Sequence, residues 1–188
     1  MAGNKVKQIE LVSGDGLAIR RSYVYDPEVN ETAARVVSEL ANTEANHLGK
    51  ALPKGLVRLY APDPEGVDTF VASTRIDHTP HGEKLTLLIG NAFDIVGERK
   101  QTDFKSDVER KQVVESFEIT IRNSKKEEVA VRIKEPMYRW NQWKITQTNT
   151  KDHQKLDAFN EVWDVKVPPM KDDKQGEFKL TYAVEYMW

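Results

Sequence analysis

From Glu177 to Met187 apolar and polar side chains alternate without a break. Phe178, Leu180, Tyr182, Val184 and Tyr186 fall on one face; Glu177, Lys179, Thr181, Ala183, Glu185 and Met187 fall on the other. A period of two over that length marks a strand with one buried and one wet face. The pattern recurs along most of the chain, with turn signals between repeats.

The expected strands are Val6 to Val12, Leu17 to Tyr25, Ala34 to Ala41, Leu56 to Tyr60, Val67 to Ile76, Lys84 to Ile89 and Phe93 to Val96. A polar extended segment, Glu98 to Phe104, follows. The second half adds Val113 to Arg122, Glu128 to Lys134, Trp143 to Gln147, Phe159 to Val167 and Glu177 to Met187. Residues 31–41 also fit a helix, since Ala and Glu favour one, but their strand neighbours tip the reading. Short strands separated by Gly-, Pro- and Asn-rich turns predict an all-β fold of two tandem antiparallel β-sandwiches, Ig- or fibronectin-like. The charged stretch from Lys100 to Gln112 places the junction, giving a first sandwich over residues 1–104 and a second over 105–188.

Composition narrows the function classes. The 28 basic and 30 acidic residues leave a net charge of -2, which offers no electrostatic footprint for nucleic acid. There is no cysteine, which removes disulfides, thiolate metal sites and cysteine nucleophiles. No apolar run approaches the ~20 residues of a membrane-spanning helix. Met1 to Lys7 lack the apolar core of a signal peptide, so the chain reads as cytoplasmic or as a piece of a longer exported protein.

Ala51-Leu52-Pro53-Lys54-Gly55-Leu56-Val57-Arg58-Leu59-Tyr60, then Arg75-Ile76-Asp77-His78-Thr79-Pro80, Gly90-Asn91-Ala92-Phe93-Asp94, Glu98-Arg99 and Thr102-Asp103-Phe104 form an ordered series of motifs. Glu115-Ser116-Phe117-Glu118-Ile119 through Arg122-Asn123, with Lys125-Lys126, extends it. The series resembles domain of unknown function 4139, a family that includes mucoidy-inhibitor-like proteins. The resemblance implies a β-rich C-terminal module of a longer, exported bacterial protein. It transfers no reaction and no catalytic residue.

Three groups of residues are candidate sites. Asp77, His78 and His81, with Glu83 beyond, could ligate a divalent metal and serve a hydrolase; the alternative is a Pro-containing turn. Tyr138, Trp140 and Trp143, beside Arg139, Asn141 and Gln142, could stack on sugar rings, line a domain contact or join the core. Tyr138 and Trp140 share a parity that Trp143 lacks, so one strand cannot bury all three. Glu98 to Asp103 could line a cleft, though an ion-pair network fixing the angle between two domains is the preferred reading. Asp63, Glu65 and Asp68 have the wrong spacing for an EF-hand, and Asn30-Glu31-Thr32 matches a common glycosylation pattern.

No nucleophile elbow, phosphate loop or dinucleotide fingerprint is present. The expected role is a non-enzymatic binding or assembly module at the bacterial envelope or exterior. It needs no cofactor and acts on a protein partner, on itself or on carbohydrate, through surface loops or a sheet edge. The final strand, Glu177 to Met187, is the expected edge.

Overall fold

The structure, a computed structural model, describes residues 16–188. The expected strand Val6 to Val12 lies outside them. Eleven strands follow in order: β1 Arg20–Tyr25, β2 Ala33–Ala41, β3 Gly55–Pro62, β4 Asp68–Ile76, β5 Lys84–Asp107 and β6 Gln112–Asn123. They continue with β7 Val129–Pro136, β8 Trp143–Thr148, β9 His153–Lys155, β10 Asn160–Val167 and β11 Gly176–Met187. Among the described residues a single 3-10 turn, Glu44–Asn46, interrupts them. Nine strands form one mixed sheet in the order β8-β11-β6-β5-β2-β1-β7-β10-β9, and β3 pairs with β4 in a separate ribbon. The fold is all-β. The pairing of β1 with β7 departs from the antiparallel expectation, since the two strands run parallel.

Packing divides the chain into two units, residues 16–21 with 38–89 and residues 22–37 with 90–188. β1, β2 and β5 each contribute to both. Position 105, expected as a junction, lies inside β5, where Ile95 to Asp107 pair with β6. Polar residues on both faces of β5 conceal its continuity from a reading based on alternation. The ladder to β6 supplies it.

The first unit buries Leu40, Leu85 and Leu87 beneath Val57, Leu59 and Ile76 of the ribbon. Buried Asn42 ties two connections together there: its amide nitrogen donates to the carbonyls of Lys50, Thr79 and Pro80, and its Oδ1 accepts from Gly49. The Thr79 and Pro80 carbonyls also accept the Leu52 and Glu83 amides, so the side chain adds to the backbone bonds of these connections.

The larger unit holds the main core, with Trp163, Tyr25, Tyr186, Ile95, Ile119, Ile121 and Leu180 all sealed from solvent. Its sheet bends so that side chains of β10 meet those of β11. The Trp163 and Tyr182 rings lie 4.9 Å apart, and Phe117 stacks on Tyr182 at 5.3 Å. As the alternation predicts, Leu180, Tyr182, Val184 and Tyr186 are buried; Phe178 is only partly so, and Ala183 of the opposite face is buried as well. The edge assignment for this strand is overturned, because β11 lies between β6 and β8. A terminal position in sequence does not imply a terminal position in a sheet. The ends of the mixed sheet are β8 and β9.

Candidate binding cleft

Two carboxylates stand on inward faces of otherwise apolar strands. Glu115 shares parity on β6 with Val113, Phe117, Ile119 and Ile121, and Glu135 shares parity on β7 with Val129, Val131 and Ile133. Both are fully buried. An ionised carboxylate in that position needs donors or opposite charge, and the fold provides both. Glu115 accepts from Arg139 Nη2 at 2.7 Å, Gln101 Nε2 at 2.8 Å and the Tyr138 hydroxyl at 2.9 Å. Glu135 Oε2 accepts from Arg99 Nε at 2.8 Å and from the Tyr182 hydroxyl at 2.5 Å. Glu135 Oε1 has no hydrogen-bond partner among the described residues.

The electrostatics follow from this geometry. Burial raises Glu135 above the ordinary carboxylate range, while Arg99 and Tyr182 pull the other way. Burial works against the Arg99 cation, but Glu135 and Tyr182 outweigh it and leave Arg99 more firmly protonated. Arg99 also lies 3.9 Å over the Phe117 ring, an arrangement that favours a desolvated guanidinium. The hydrogen bond to Glu115, ahead of every other influence, holds Arg139 protonated. Burial, then the charge of Glu135, pushes the Tyr25 hydroxyl up to about 12.

These groups underlie a concave cleft of about 730 Å³ in the larger unit. Its walls come from the β1–β2 connection (Pro27, Glu28, Glu31, Thr32), from β5 (Val96 to Arg99), from Arg122 of β6, and from Pro136 and Tyr138. Tyr25 and Gly97 form part of the lining, and a Cβ at Gly97 would stand 2.2 Å from the Tyr25 ring. Glycine at that position is what lets the tyrosine lie against β5. The ring is then held by its hydroxyl, which donates to the Glu31 carbonyl at 2.8 Å. Arg122 in the wall is paired with Glu98 at 2.7 Å. Glu28 and Glu31 are exposed and take part in no ion pair among the described residues.

Tyr138 forms part of the cleft wall and is half exposed. Trp140 instead stacks on Trp188, ring centroids 4.7 Å apart. Trp143 donates from Nε1 to the Ala158 carbonyl, and Lys155 lies 4.2 Å over its ring. Asp77, His78 and His81 belong to the other unit. There Asp77 pairs with Lys54 at 3.4 Å, and His78 Nδ1 accepts the Lys54 amide. Among the described residues no three His, Asp or Glu side chains gather as a metal would require. Asp63 accepts the amides of Glu65 and Val67, closing a turn. Asn30 does the same for Thr32 and Ala33. The ion pairs of the Glu98 to Asp103 run stay within the larger unit, reaching Arg122, Glu135 and Lys105.

Glu115, Glu135, Tyr182, Glu28 and Glu31 belong to none of the three candidate sites drawn from sequence. For the two buried carboxylates a signal exists, namely a Glu at an inward position of an alternating strand. For Glu28 and Glu31 none exists, because loop closure alone brings them beside β5.

Fold and cleft together define an all-β protein with a large mixed sheet, a small separate ribbon and a polar cleft braced by buried ion pairs. No protein-family model, curated protein or solved structure matches the chain.

Proposed function

We propose that the chain is a non-enzymatic binding or assembly module and that the cleft of the larger unit is its recognition surface. The observation that carries this reading is the pairing of the charged groups around the cleft. Arg99 is bound to Glu135, Arg122 to Glu98 and Arg139 to Glu115. Side chains held in mutual ion pairs make a rigid, preorganised wall, which reduces the ordering cost of binding. A general acid or base needs a partner with which to exchange its proton, and these pairs occupy the arginines of the cleft and the buried carboxylates beside it. The bent sheet of this unit, with β10 side chains meeting β11, is read as a sandwich of Ig-like kind. An envelope or exterior location is part of this proposal and rests on the motif series alone, which no family model matches.

Screening a library of small organic fragments by backbone-amide NMR tests the reading. Shifts should cluster at Thr32, Gly97 and Tyr138. Clustering in the ribbon unit instead, near Asp77 to Glu83, would favour the metal-dependent hydrolase. A second reading, carbohydrate recognition, has one observation in its favour: the stacked Trp140 and Trp188 rings are 37% and 42% exposed. Soluble glycans shifting the indole resonances of that pair would support it.

A further inference from the structure

β5 is paired on both sides for only part of its length. Its ladder to β2 is bracketed by the bond from Asn42 N to Glu83 O at one end and from Gly97 N to Thr32 O at the other. Beyond Gly97 the chain of β2 has turned away, while β5 continues to Asp107 against β6 alone. Among the described residues no strand lies on the opposite side of that stretch. Backbone groups of a strand alternate sides. Since Gly97 N–H points away from β6, so do the amides and carbonyls of Arg99 and Gln101.

Past them the register shifts between Gln101 and Asp103. The next outward amide, that of Phe104, is capped by Asp103 Oδ1 at 2.9 Å. A bulge, a local cap and exposed Lys100 and Lys105 are the usual means of discouraging unselective pairing along an edge. They leave one short stretch whose outward backbone no strand pairs among the described residues, and it borders the cleft at Arg99. The uncompensated charge of the cleft is acidic, from Glu28 and Glu31 at its lip, next to the half-exposed Tyr138 ring.

We infer that an extended segment of a partner protein adds as a strand to β5 at Arg99 and Gln101, where β2 stops, and places a lysine or arginine side chain in the cleft between Glu28, Glu31 and Tyr138. Backbone pairing supplies the geometry of such docking, and the pocket supplies selectivity. The carboxylates and the aromatic face both attract a cation. This inference rests on the cleft being the recognition surface and adds the docking mode and the chemistry of the occupant.

The test selects binders from a phage-displayed library of random short peptides against the full chain. The enriched peptides are then synthesised, and amide exchange is followed at single residues. The expected result is one basic residue within an alternating pattern, slowed exchange at Arg99 and Gln101, and about tenfold weaker binding to a Glu28→Gln, Glu31→Gln variant. Those two side chains are exposed, so the variant should fold normally. Enriched peptides without a basic residue that still protect Arg99 would overturn the cationic occupant and leave the recognition surface standing. Three outcomes would overturn strand addition itself: protection elsewhere, a second copy of the chain occupying the edge, or no enrichment. Fragment shifts at Gly97 and Tyr138 would then decide independently whether the cleft binds anything.

Discussion

Glu115 and Glu135 occupy positions where the alternation of their strands calls for Val or Ile. Each is matched by one arginine and one tyrosine: Arg139 and Tyr138 for the first, Arg99 and Tyr182 for the second. Buried pairs of this kind add little net stability over an apolar core, yet breaking one leaves a charge stranded. Glu135 has a further consequence. Its proton affinity is raised above the ordinary value of 4.5, chiefly by burial and against the pull of Arg99 and Tyr182. A carboxyl group raised in this way contributes stability that is complete below its unfolded pKa and is lost as pH rises through the folded one. Glu135→Gln should therefore differ from the parent by an offset that changes with pH. Urea unfolding should show the parent losing stability relative to the variant as pH rises from about 4.5 toward neutrality, by about 1.4 kcal/mol for each unit of elevation. Stability curves that stay parallel across that range would contradict the assignment.

Most strands were legible because their periodicity is set by one buried and one wet face. β6, β7, β10 and β11 depart from the expected bounds by at most two residues at either end. The stretch Ala33–Ala41, which also fits a helix, is a strand because the sheet places partners on both sides of it. Two elements were not legible. β9, with the sequence His-Gln-Lys, has no apolar residue to reveal it and exists through its ladder to β10. β5 read as three pieces, since Glu98 to Asp107 bury nothing in an alternating pattern. The cleft was the least legible feature. Tyr138 and the Glu98-Arg99 pair stand out in the sequence, but the loop carboxylates Glu28 and Glu31 that join them lie far earlier in the chain than either. The position of β11 likewise depends on long-range pairing. A central strand should be the costlier place to remove an apolar side chain. Leu180→Ala, at a fully buried site on β11, should cost about 2–5 kcal/mol. Leu156→Ala, just past β9 and half exposed, should stay within about 0.5 kcal/mol. Equal losses of thermal stability would show that β11 is not interior.

Each packed unit has its own core, one centred on Leu40, Leu85 and Leu87 and the other on Trp163, Tyr182 and their neighbours. The open stretch of β5 and the cleft beside it belong wholly to the larger unit. Their existence depends on a mismatch in length: β5 runs to Asp107, while β2, its neighbour on the cleft side, begins only at Ala33, opposite the start of the unpaired stretch. Strand edges left without such management attract unwanted partners, and here charge and a register shift confine the accessible backbone to a short length. Residue-resolved hydrogen exchange on the free protein measures that exposure directly. Rapid exchange is expected at Arg99, whose amide points away from β6, and slow exchange at Glu98 and Lys100, whose amides face β6. Equal protection of all three would mean that a strand already covers this side of β5, and the recognition edge would not exist.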